Sequence, residues 1–177
     1  DTLLARVDDV FSPAKRRHLL LSSWSAGYAA IREILRQKPE LAQAVLVLDG
    51  VHASYTDDGA TLRESDIKPF SDLAKRARDD HTLLLLTHSE IRPPGYASTK
   101  RVADHLLDGL GARRRYAGLV AVQPGVRLKT QYTTGKLTIR GYTGSDRHAH
   151  CAQLALLPEV LETLVAPALK SRSTALD

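Results

Sequence analysis

The chain has 177 residues, 43% hydrophobic and 25% charged with a formal net charge of +5, which suits one globular domain over residues 1–177. Its single cysteine, Cys151, excludes an internal disulfide and any cysteine-based metal cluster. Aromatic residues are only 5% of the chain, and the basic clusters Lys15-Arg16-Arg17, Lys75-Arg76 with Arg78, and Arg113-Arg114-Arg115 lie among acidic residues, so no nucleic-acid partner is expected.

In chain order, Leu3, Leu4, Val7, Val10 and Phe11 mark one face of a helix over 2–11, stopped by Pro13. Residues 18–23 (HLLLSS) read as a short apolar strand. Residues 26–37 follow with helical spacing through Tyr28, Ile31, Ile34 and Leu35, with Pro39 just beyond. AVLVL at 44–48 is a second buried strand ending in Asp49-Gly50, and a polar loop follows. A helix over 66–79 carries Ile67, Phe70 and Leu73 on one face, before a third strand, TLLLL, at 82–86. Pro93-Pro94-Gly95 makes a loop, and Ser98 or Thr99 caps a helix running to about Leu110, closed by Gly111.

Residues 126–132 and 136–142 alternate about Thr133-Thr134-Gly135, which predicts a hairpin insertion whose second arm joins the main sheet. From about Ala149 to Leu169 apolar residues return at helical spacing, interrupted by Pro158 and Pro167. No apolar stretch approaches the roughly 18 residues of a bilayer span, and the first residues do not resemble a signal peptide. A soluble chain without a membrane span is the expectation, and its compartment is unknown. Continuous apolar strands alternating with helices predict an α/β fold, a mostly parallel sheet with helices on both faces. Ligands gather at the carboxyl ends of such strands, where Ser25, Asp49, His52, His88, Glu90 and the 143–150 loop fall.

Ser23-Trp24-Ser25-Ala26-Gly27 marks the point where strand spacing turns into helix spacing. A nucleophile on such a corner needs small residues two places to either side, and Gly-x-Ser-x-Gly is the usual form; here serine replaces the first glycine. The corner aims the Ala26 amide, at a helix start, toward a developing oxyanion. Trp24 is expected to pack beside the site. A serine needs a base, and the base an orienting acid. His150 opens the last helical pattern and is the preferred base, with His148 the alternative. An acid closing an apolar run needs a partner to be buried, which favours Asp49; Glu90 is the other candidate.

The serine corner, Asp49, TLLLLTHSE and the late histidine resemble the carboxyl-terminal two-thirds of an α/β-hydrolase, over nearly all of the chain. LVLDGVHASY and THSEIRPPGYAST are also similar to uncharacterised bacterial hydrolase-like proteins. The resemblance implies that HLLLS, AVLVL, TLLLL and KLTIRGY are the fifth to eighth strands of that fold. It puts Glu90 in the commoner acid position and Asp49 in the rarer one. It also implies that the first four strands and a second oxyanion amide come from an upstream segment of the same protein. The absence of methionine agrees with an incomplete N-terminus.

The expected activity is serine hydrolysis of an ester or amide in a small-molecule or peptide-like acyl substrate, through Ser25, His150 and Asp49, with no metal and no cofactor. One alternative is a metal-dependent hydrolase using Asp49, His52, His88, His148 and His150, although their spacing matches no zinc signature. The other is a non-catalytic α/β binding domain.

Overall fold

The computed structural model describes residues 2–13 and 18–170; the basic cluster at 15–17 lies outside them. The elements are α1 (Thr2–Val10), β1 (Leu20–Trp24), α2 (Tyr28–Gln37), β2 (Ala44–Leu48), α3 (Glu64–Arg78), β3 (Leu83–His88), α4 (Thr99–Gly109), β4 (Arg115–Gln123), β5 (Val126–Thr134) and β6 (Leu137–Tyr142). They are followed by a helical run, Arg147–Lys170, that opens with α5 (Arg147–Ala152).

These strands form one six-stranded sheet in the order β1-β2-β3-β6-β5-β4. The first three pairings are parallel, and β6-β5 and β5-β4 are antiparallel. The sheet is therefore mixed, and the mostly parallel expectation holds only for its β1-β2-β3-β6 part. The hairpin at 126–142 does join the main sheet, with β6 lying parallel to β3. Its first arm, β5, also carries an unexpected edge strand, β4. Residues 115–123 show no buried face, and Tyr116 and Val120 are exposed. Hydrogen bonding to β5, rather than burial, makes that strand.

Two cores cover the two faces. Alternate residues of the buried strands point to opposite sides. Val45, Val47, Leu84, Leu86, Leu137 and Ile139 pack with Ile31 and Leu35 of α2, Ile67, Phe70 and Leu73 of α3, and Val102 and Leu106 of α4. Leu46, Leu48, Leu85 and Tyr142 meet Ala149, Leu156, Val160 and Val165 of the final run on the other side. That run is long and apolar enough to cross a membrane by length and composition, with mean hydropathy 1.3, which corrects the expectation that no stretch would be. The run stays helical through both prolines, but its hydrogen bonding changes ahead of each: a 3₁₀ turn (Gln153–Leu156) precedes Pro158 and a π segment (Leu161–Val165) precedes Pro167. α1 forms as expected, yet Leu3, Val10 and Phe11 are exposed rather than packed.

What positions the site is the register of the inner strands. Trp24 pairs with Leu48, and Leu48 with Thr87. Ser25, Asp49 and His88 thus leave three neighbouring strands on one rung.

Candidate active site

β1 ends at Trp24 in extended backbone (φ −128°, ψ 144°), and at Ser25 the chain turns to φ 54°. A non-glycine residue held there costs about 1–3 kcal/mol and persists only where its surroundings fix it. Gly50 is one such constraint. A Cβ on Gly50 would lie 2.4 Å from the Ser25 carbonyl oxygen and 3.0 Å from its amide nitrogen. Only glycine lets the chain leaving β2 pass so close to the corner. The small residues flanking the serine meet each other rather than the adjacent strands: a Cβ on Gly27 would stand 3.2 Å from that of Ser23. Residues Ser25–Gly27 form a 3₁₀ turn that runs directly into α2. The Ala26 amide sits in its first turn, where no intrahelical acceptor exists.

Asp49 is buried and also adopts a positive φ, 45°. Its own N–H donates to the carbonyl (3.1 Å) and hydroxyl (3.2 Å) of Thr87. The Ser89 N–H donates to Oδ1 at 2.9 Å, and His150 Nδ1 lies 2.8 Å from Oδ2, across 101 residues of chain. A carboxylate only accepts, so the His150 proton resides on Nδ1 and the Nε2 lone pair is free to take another.

The Asp146 carboxylate caps α5 by accepting from Ala149 N–H at 2.9 Å, which fixes the start of the helix that carries the imidazole. Trp24 secures it from the other side: its indole N–H donates to the His150 carbonyl at 3.0 Å, and the two rings lie 4.7 Å apart, tilted by 33°. The residue beside the serine thus holds His150, a more specific part than packing near the site. Among the described residues Ser25 Oγ makes no hydrogen bond; in substrate-free sites such contacts are often long and tighten only when substrate binds.

The other candidates are held by other partners. Glu90 is drawn toward β5 by Lys129, 2.6 Å away, which lowers its pKa, and its amide donates to Gly144. His148 donates from Nε2 to the Pro124 carbonyl at 3.0 Å. His52 sits between the rings of Tyr28 (5.4 Å) and Tyr96 (5.0 Å), with a buried, unpartnered Nδ1. His88 faces Arg114, which is also ion-paired with Asp104. Of the five residues of the metal alternative, Asp49 and His150 are paired with each other, and no group of three acidic, histidine or cysteine side chains among the described residues could hold an ion.

Protein-family models, curated proteins and solved structures yield no match to this chain. Fold-level analogy therefore adds nothing to the geometry.

Two parts of the site escape a reading of the sequence. Gly50 looks like half of an ordinary Asp-Gly turn, and only the packing of β2 against β1 reveals its role. The second is an inner buttress. His88 Nδ1 bonds the Ser89 carbonyl at 2.8 Å, so its proton is on Nδ1 and Nε2 faces the Arg114 guanidinium. Burial first, and then that cation, push the imidazole down to about 4. A neutral His88 fixes Ser89, whose N–H fixes Asp49. A cavity of about 550 Å³ opens between α2 and α3, lined by Arg32, Glu33, Asp66 and Arg76 among others, and contains none of these groups.

Proposed function

We propose that the protein is a serine hydrolase that cleaves an ester or amide through an acyl-enzyme, within an α/β-hydrolase-like arrangement. The observation that carries this reading is the 2.8 Å Asp49–His150 contact beside a serine at φ 54°. Supporting it, an acid and a base from distant parts of the chain pair one strand away from a corner shaped like a nucleophile elbow.

Ser25 Oγ attacks the carbonyl carbon as its proton passes to His150 Nε2, and the C–O bond forms while the carbonyl electrons move to oxygen. The Ala26 N–H faces that developing charge; one such donor is typically worth about 100- to 1000-fold in turnover. The intermediate collapses, the bond to the leaving group breaks, and the leaving group takes the proton from His150. Water then attacks the acyl-enzyme, giving its proton to the same nitrogen, which returns it to Ser25. Asp49 stays ionised throughout and holds the imidazole in the productive tautomer.

The test is a fluorophosphonate label followed by peptide mapping, together with hydrolysis of 4-nitrophenyl acetate. Adduct on Ser25 and loss of turnover in Ser25→Ala are expected. A Ser25→Ala protein as active as the parent sinks the reading, and a parent that turns over no acyl substrate leaves a non-catalytic binding domain.

A further inference from the structure

The loops that leave β2 and β3, the strands whose ends hold Asp49 and Ser89, enclose a second feature. Tyr55, Arg92, Tyr96, Ser98, Lys100 and Arg101 line a cleft of about 270 Å³ together with Asp104. Three cations face it, and the single carboxylate is already taken: Lys100 Nζ lies 2.7 Å from Asp104, and Arg114 engages the same group from behind. Arg92 and Arg101 make no ion pair among the described residues. Like charges gathered in excess of counter-charge are unfavourable in the empty protein and become favourable when an anion enters. Lys100 registers that crowding, since burial first and then Arg114 and Arg92 lower its pKa.

The cleft connects to the corner through side chains. Tyr96 meets the His52 ring edge to face at 5.0 Å, and His52 meets Tyr28 likewise at 5.4 Å. Tyr28 stands three residues after Ser25. This row of rings is aromatic, and the His52 Nδ1 within it is buried without a partner. A chain lying along it would have its carbonyl at Ser25 and its far end among the cations.

We propose that this cleft binds the anionic end, carboxylate or phosphate, of the acyl substrate whose carbonyl Ser25 attacks. The proposal rests on the serine-hydrolase reading and narrows its substrate class to acyl compounds with a negative charge several bonds from the scissile carbonyl. Arg92 and Arg101 supply the unpaired charge, Ser98 and the first turn of α4 lie alongside, and the row of rings accommodates the spacer.

Binding is tested on the Ser25→Ala protein by calorimetry with hexanoate, hexyl phosphate and hexanol. At least one anion should bind about ten-fold or more tighter than hexanol. That preference should weaken with added salt, and it should disappear when Arg92→Ala and Arg101→Ala are introduced together; both side chains are exposed, and a thermal melt confirms folding. The carboxylate and phosphate arms show which anion is preferred. Turnover is tested on the parent with the 4-nitrophenyl monoester of suberic acid against 4-nitrophenyl octanoate. The kcat/KM ratio of charged to neutral ester should exceed about five and fall to near one in the double variant, mainly through KM.

Anions that bind no better than hexanol, a preference that survives the double substitution, or a parent indifferent to the charge on the ester each overturn the proposal. Should the parent turn over no ester while its Ser25→Ala form still binds the anions, the hydrolase reading has failed and the anion site stands alone.

Discussion

Replacing Gly50 with alanine tests the corner without touching any reacting group. The new Cβ would stand 2.4 Å from the Ser25 carbonyl oxygen, where ordinary contact begins near 3.4 Å. The overlap is therefore about 1 Å, and the obstructing atoms are backbone rather than a flexible side-chain tip. Either the β2 exit or the serine corner must retreat by that amount. A misplacement of about 1 Å near reacting atoms costs on the order of 100-fold in rate, and overpacking of this kind costs about 1–3 kcal/mol in stability. For a chain of this size that corresponds to a melting temperature lower by roughly 2–12 °C.

The assay is kcat/KM for 4-nitrophenyl acetate, with the rate of fluorophosphonate labelling and a thermal melt on the same preparation. Gly109→Ala is the control. That site ends α4 with nothing within 4 Å of an added Cβ, so alanine should leave activity intact and raise stability by up to about 1 kcal/mol. A Gly50→Ala protein within two-fold of the parent in both turnover and labelling would refute the claim that this glycine sets the corner.

Asp49→Asn keeps the shape but presents an amide N–H to His150 and forces the proton onto Nε2; turnover should fall about 10⁴-fold, roughly 5 kcal/mol in barrier. Glu90→Gln removes only a surface pairing with Lys129 and should stay within a few-fold; a larger loss there than at Asp49 would exchange their roles. Stability should also depend on pH through His88, whose folded pKa of about 4 lies below the ordinary 6.5. Between those values the unfolded chain binds more protons, so stability is full above about pH 6.5 and falls as the pH drops toward 4, by roughly 3 kcal/mol at the limit. Denaturant unfolding of the parent against His88→Gln measures it; equal slopes over that window would mean that His88 is not the group responsible.

The elements legible in the sequence are those made by burial. AVLVL and LLLL announce themselves because both faces of β2 and β3 are covered, and the serine corner is visible where their spacing gives way to that of α2. Asp49 is legible too, as a charge closing an apolar run. β4 is not: its residues face solvent, Gly118 and Leu119 break its backbone with positive φ, and its register shifts against β5. The antiparallel half of the sheet rests on backbone pairing, which leaves little hydrophobic trace. Gly50, Ser89 and the His88–Arg114 contact matter through neighbours 25 or more residues away, and no local spacing encodes them. The choice of Asp49 over Glu90 depends likewise on Lys129, which faces Glu90 across the strands.

Because the hydroxyl-bearing residue and the carboxylate depart from adjacent strands at the same level, their separation is inherited from interstrand spacing, close to 4.8 Å, and owes little to any loop. The largely exposed stretches 56–61 and 92–96 are therefore open to being lengthened, shortened or exchanged with small effect on that separation. On the proposed reading, substrate choice and catalytic alignment would occupy different parts of the polypeptide, so one could be re-engineered while the other is left alone.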